Sequence, residues 1–283
     1  MSSGMSELFT HCMDLLRAGD RERYLTVLFA PEDKRPALAA LHAFNLETAR
    51  VRDLVSEPMP GEIRLQWWRE VVSGEREEEG RQHPVGAALL DAIAAHGLSR
   101  AALANLTEAR VFDLYDDPMP DRATLEGYLG ETASALIQLS AQVLDPDAAE
   151  RSADASGHAG VAYGISGLMR LAPLHRSRGQ VYVPGDILAA AGTHAAGWLA
   201  GDDREAMNRS TAILAALARE HLAKAEKAIA GLPKTLKPAF LPLAVVKPVL
   251  ARVEKAGAAH ADMPVSLTPL GVQFAYLRRA LAG

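Results

Sequence analysis

The chain has 283 residues, 49% of them hydrophobic, with a formal charge of -5 and a single cysteine. That length and apolar content support one large core or two small ones, while the lone Cys12 excludes an internal disulfide framework and any zinc cluster built on paired cysteines. The mild charge, and the lack of a Lys/Arg tract with interleaved aromatics, argue against nucleic acid as a partner.

Alanine-rich segments and few β-branched runs favour helix over sheet. A chain without paired cysteines suits a reducing compartment. The N-terminus lacks the basic start and apolar core of a signal peptide, and the most apolar run, residues 239–251, is interrupted by Pro242, Lys247 and Pro248. The expectation is a soluble protein with at most a peripheral membrane contact.

In chain order, a helix is expected over residues 6–18, closed by Gly19 and Asp20, and a segment over 21–29 leads into the helix-start signals Pro31, Glu32 and Asp33. Residues 36–55, PALAALHAFNLETARVRDLV, form the segment around which the chain is organised. Ala37, Leu41, Phe44, Thr48, Val51 and Val55 fall at steps of four and three, the spacing of one buried helix face. Asn45, Ala49, Arg52 and Asp53 lie beside that stripe, with Glu47 and Arg50 near them, so the spacing also fits a partly buried helix with surface ion pairs.

After the turn at residues 56–61, EIRLQWWREVVSGE places Ile63, Trp67 and Val71 on one face, and two adjacent tryptophans cannot both enter one core. One of them is expected at an interface or cavity. Residues 74–80 read as an acidic loop, 84–95 as a helix stopped by Gly97, and Ser99 as the cap of a helix reaching about residue 115. Asp116, Asp117 and Asp121 superficially resemble a metal motif, but Pro118 and Pro120 place them in a turn with Asp121 or Thr124 as the next helix cap.

A long helix is expected over residues 124–144. Over 155–171, Gly157, Gly160, Gly164, Gly167 and Leu171 recur at steps of three and four; glycine costs a helix about 1 kcal/mol relative to alanine, so this face is either a close packing seam or a cavity wall. Pro173 is read as the end of that helix. An extended stretch over 180–184, a short helix near Ile187, a helix over 204–229 with Leu214, Leu217, His221, Leu222 and Ala225 inward, and a final helix near 270–281 complete an all-α chain read as one domain over 1–283. The nine histidines lie without HExxH or paired spacing, and no glycine-rich phosphate loop follows a strand.

Four stretches taken together, YLTVLFAPEDKRPALAALHAFNLETARVRD (24–53), RLQWWRE (64–70), YLGETA (128–133) and GVAYGISGLMRLAPLHRSRGQVYVPGD (160–186), resemble the squalene/phytoene synthase family over most of the chain. The resemblance implies the type I isoprenoid-synthase fold, in which facing helices enclose a prenyl-diphosphate cavity. Active members place two Asp-rich motifs on opposing helices, because a diphosphate with its magnesium ions needs several hard oxygen ligands from both sides. Here the first motif's positions fall on Ala49, Arg50 and Asp53, and the second's on Leu171 and His175 with Pro173 between them. Arg50, Arg52 and Arg170 would repel divalent cations and would themselves hold a phosphate.

The run 40–69 followed by 168–188 is similar to the branch of the family that assists assembly of respiratory complex I. Two readings follow. In the first the chain is a non-catalytic prenyl- or lipid-binding protein or respiratory-complex assembly factor, with no cofactor and a cavity lined by Arg50, Arg52, Asp53 and Arg170. In the second it is an active prenyltransferase in which Asp53, Glu47 and Glu131 converge on Mg2+, with Asp53 catalytic. In both, the resemblance adds Tyr128, Arg178 and Tyr182 to the ligand-binding set. It implies the cytoplasm, at a membrane surface, or the mitochondrial matrix in a eukaryote.

Overall fold

The computed structural model describes residues 3–281, and among them all regular structure is helical. The first part comprises α1 (Ser3–Gly19), α2 (Arg21–Phe29), α3 (Arg35–Ala49), α4 (Pro58–Ser73), α5 (Glu77–Gln82), α6 (Pro84–His96) and α7 (Arg100–Ala109). Next come α8 (Arg122–Leu129), α9 (Ala135–Leu144), α10 (Pro146–Ala149), α11 (Ala153–Arg170) and α12 (Ala172–Ser177). The remainder is α13 (Gly185–Ala190), α14 (Ala195–Ala200), α15 (Arg204–Ile229), α16 (Val246–Ala256) and α17 (Pro269–Leu281). No helix among the described residues is long and apolar enough to cross a membrane.

Helix α3 is the hub, packing on α1, α2, α6 and α9, while α11 packs along α15 and against α9 and α16. From Ala37 to Leu46 every residue of α3 is buried, so the helix is enclosed on all sides rather than half-exposed with surface ion pairs. Four alanines, Ala37, Ala39, Ala40 and Ala43, make that enclosure feasible by letting neighbours approach from several directions. The helix does not continue to residue 55. It ends at Ala49, Arg50 takes φ -92 and ψ 1, and Val51–Leu54 tighten into one 3-10 turn. In Arg-Val-Arg-Asp only Val51 is buried, against Leu65 and Leu114, and the tight turn sends Arg52 and Asp53 toward the cavity described below while Arg50 stays in solvent.

In α4 the buried face is Gly61, Leu65, Trp68 and Val72, with Val71, and not the expected Ile63 and Trp67; Ile63 is 65% exposed. Gly61 sets the phase, because a Cβ there would stand 2.6 Å from Leu114 Cδ2, so only this face can seat against residues 110–114. Trp67 lies half-buried along a surface groove between α4 and α7. Of residues 74–80, expected as loop, 77–80 belong to α5: three glutamates in its first turn favour the helix N-terminus, and Glu77 pairs with Arg81 at 3.2 Å.

The turns otherwise follow local chemistry. Gly97 adopts φ 60 after α6, the Ser99 hydroxyl accepts from Ala102 N, and the Asp121 carboxylate accepts from Thr124 N. Pro173 lies in the first turn of α12, where its missing N–H is not needed, after α11 has ended at Arg170.

Between α8 and α9 one wide π turn, Gly130–Ser134, interrupts the expected continuous helix. It is where α11 crosses: a Cβ on Gly160 would lie 2.3 Å from the Ser134 backbone, and one on Gly164 2.4 Å from Leu129 Cδ2, whereas Gly157 and Gly167 face open space. Close packing and cavity wall thus share the glycine face. Gly160→Ala is expected to cost about 3 kcal/mol in urea unfolding, and Gly157→Ala to be neutral or stabilising by about 1 kcal/mol; equal effects at the two positions would contradict the crossing.

Candidate ligand-binding site

The floor of a polar cavity of about 280 Å³ is a hydrogen-bonded cluster at the chain segment 110–113. Asp113 Oδ1 accepts from the hydroxyls of Tyr128 (2.8 Å) and Tyr182 (2.6 Å), and its Oδ2 accepts from Arg110 Nη1 at 3.2 Å. Arg110 also donates to Tyr128 Oη (2.8 Å) and Asn45 Oδ1 (3.3 Å), and Gln180 Nε2 donates to the Asp113 carbonyl at 2.8 Å. Phe112 packs on both tyrosine rings. Burial pushes both tyrosines well above the ordinary phenol pKa, with Asp113 adding to it, so they remain donors.

His175 lies on Tyr182, ring centroids 4.5 Å apart. Burial pushes its pKa down to about 4, Asp113 opposing and Arg178 assisting, so the imidazole is neutral near pH 7.

One side wall is charged and half-buried. Asp20 pairs with Arg23 and Glu22 with Arg170, each at 2.5 Å, and the Tyr163 hydroxyl donates to Glu22 at 3.0 Å. Burial works against the Arg23 charge, but Asp20, Tyr163 and Glu22 outweigh it and hold its pKa above the usual guanidinium value. At the mouth Asp53 pairs with Arg178 at 2.7 Å, and Arg52 reaches Asp116 at 3.8 Å.

Of the residues expected from sequence, Arg52, Asp53, Tyr128, Arg170, Arg178 and Tyr182 line this one cavity. Arg50 and Glu131 are exposed and outside it, and Glu47 is half-buried on the face of α3 toward His83. The expected convergence of Glu47 and Glu131 with Asp53 is therefore absent: the three carboxylates sit on different faces. Asp20, Arg23, Arg110 and Asp113 are cavity residues that sequence reasoning missed, and His175, named only as a position of the second motif, also lines the cavity. The usable signal for two of them was Arg110 three positions before Asp113 beside Phe112.

The lining holds five arginines and three aspartates, and Glu22 and Asp116 just outside it pair with Arg170 and Arg52, so formal charge is balanced. Each aspartate is already paired with an arginine: Asp20 with Arg23, Asp53 with Arg178, Asp113 with Arg110. Meanwhile Arg52 Nε and Arg110 Nε are buried without a partner. Among the described residues no group of three or more His, Cys, Asp or Glu side chains is arranged to hold a metal. The donor set does not fit a magnesium–diphosphate cluster; it fits an anion bound directly by guanidinium groups. Behind the cavity, sharing Arg23, Ala133 and Tyr163 with it, a pocket of only about 20 Å³ lies among Leu38, His42, Ile137 and Pro238, room for roughly one water.

The family model for squalene/phytoene synthase matches residues 16–270. The chain is 31% identical to rat "NADH dehydrogenase (ubiquinone) complex I, assembly factor 6" over 253 residues, 89% of this chain and 75% of that protein. With the human protein of the same name it shares 31% over 246 residues, 87% and 73% of the two. In fold it is similar to squalene synthase HpnC from Alicyclobacillus acidocaldarius, with TM-score 0.75 at 19% identity over 91% of this chain and 97% of that one. It is also similar to a dehydrosqualene synthase crystallised with a ligand, with TM-score 0.81 at 14% identity over 97% and 96%.

Proposed function

The chain belongs to the squalene/phytoene synthase family, and on that premise we propose that it is a non-catalytic member that serves assembly of respiratory complex I. In this reading the cavity holds the phosphate-bearing head of a prenyl or lipid molecule. The observation that carries it is the pairing of every cavity aspartate with an arginine. Carboxylates neutralised in this way are poor ligands for Mg2+, whereas the clustered guanidinium groups, with the unpartnered Arg52 and Arg110 Nε atoms, favour a phosphate. Relatives named as complex I assembly factors support the biological role.

A working synthase would need metal ions to draw off diphosphate and an apolar tunnel for its chains. The substitute acids Glu47 and Glu131 lie elsewhere, and the pocket behind the cavity is too small for a prenyl chain. A ligand is accordingly recognised by its head, with Leu46, Leu129 and Leu168 covering the first carbons of its tail.

Purified protein is expected to release no diphosphate from farnesyl or geranylgeranyl diphosphate, with or without Mg2+. Farnesyl diphosphate at about a hundred times its Kd should stabilise the fold by about 2.7 kcal/mol, seen as a rise in Tm of several degrees that Arg178→Ala diminishes. In a host lacking the protein, loss of assembled complex I on native gels should be restored by the Asp53→Ala variant as well as by the wild type. Magnesium-dependent diphosphate release abolished by Asp53→Ala would overturn the proposal.

A further inference from the structure

Helix α17 is anchored on one side and bare on the other. Tyr276 is fully buried, Arg279 Nε donates to the Phe240 carbonyl at 3.0 Å, and Lys237 Nζ donates to the Ala280 carbonyl at 3.1 Å. Leu270, Phe274, Leu277 and Leu281 recur at steps of four, three and four on the opposite face and are 69%, 73%, 45% and 75% exposed. The helix packs on α2, whose Leu28 and Phe29 are also exposed. Four large apolar side chains aligned on one helix face call for a covering partner.

Charge and pattern select that partner. No acidic residue occurs after Asp262, and the only charges on α17 are Arg278 and Arg279. Arg278 is exposed and makes no ion pair among the described residues, while Arg279 is turned inward toward Glu226, 4.0 Å away. The apolar stripe runs the length of α17 with Arg278 beside it. A stripe of leucine and phenylalanine with flanking arginine and no acid is the pattern of a helix lying in a lipid interface.

We infer that α17 is a docking helix for anionic membrane surfaces, inserting Leu270, Phe274, Leu277 and Leu281 among the acyl chains with Arg278 at the phosphate level. The inference stands apart from the cavity reading, since the helix lies almost wholly beyond the family match, which ends at residue 270. Its buried side nevertheless carries Tyr276 toward Glu22, Asp20 and Arg23 of the cavity wall, so a docked protein would hold that wall close to the lipid.

The test is co-sedimentation of the full chain with vesicles of phosphatidylcholine alone or equimolar with phosphatidylglycerol. Binding is expected only to the anionic vesicles and should weaken with salt. Arg278→Glu and the double change Phe274→Glu with Leu277→Glu should each reduce it on the order of tenfold with Tm unchanged, since these side chains are exposed. The inference is overturned if the wild type ignores anionic vesicles, if the variants bind them equally well, or if light scattering finds a dimer that Phe274→Glu dissociates.

Discussion

Asp113→Ala is expected to lower the free energy of unfolding by about 3–5 kcal/mol, the largest single-site loss in the cavity. Asp113 is 9% exposed, and its carboxylate is the common acceptor for Tyr128, Tyr182 and Arg110. Removing it leaves one buried guanidinium without its counter-charge and the Tyr182 hydroxyl without its acceptor, and unsatisfied buried groups bear the full desolvation penalty. Urea unfolding at neutral pH measures the effect. Adding Arg110→Met should give a double variant less destabilised than the sum of the two single changes by more than about 1 kcal/mol, because the second change removes the orphaned charge. A loss under about 1 kcal/mol for Asp113→Ala, or strict additivity, would show that the cluster is a solvated surface network.

The same cluster marks the limit of what could be read without coordinates. Asp113 meets its tyrosines across 15 and 69 residues of sequence, and no local spacing encodes such a meeting. Helix ends were readable where local chemistry decides them, as at Gly97, Ser99 and Asp121. The all-helical fold was readable because motifs from residue 24 to residue 186 match one family in order.

The phase of α3 was not readable, since a helix buried on every side presents no polar face to orient it. Glu47 and Asp53 therefore looked like neighbours in function and are separated by the break at Arg50. In α4 the spacing pointed to Ile63, Trp67 and Val71, and the choice of the other face fell to Gly61 meeting Leu114, a contact between segments 53 residues apart by number. Gly160 and Gly164 were singled out correctly, but only the crossing partner, Ser134 in the π turn, shows why alanine is excluded at Gly160.

Acid should unfold this protein well above the carboxylate range. His42 is 6% exposed, its Nδ1 has no hydrogen-bond partner, and burial together with the Arg23 charge pushes its pKa down to about 3 against the opposing pull of Asp20. His175 is pushed down to about 4. In the unfolded chain both titrate near pH 6.5, so between that pH and their folded values the unfolded state binds more protons and stability falls as pH falls. The loss begins near pH 6.5 and levels off below about pH 4 for His175 and pH 3 for His42. By pH 5 each accounts for about 2 kcal/mol relative to pH 7, or about 4 kcal/mol together. Burial depresses His83, His96, His221 and His260 in the same direction, so the measured decline should be at least this steep. Urea unfolding at intervals from pH 7.5 to 4.5 gives the curve, and His42→Leu, which suits the surrounding Leu38, Ile137 and Pro238, should remove about half of the two-histidine contribution. An unchanged slope in His42→Leu would mean that the imidazole is solvated in the native state. That result would also remove the dry partition between the small rear pocket and the arginine-lined cavity, on which head-only recognition of the ligand depends.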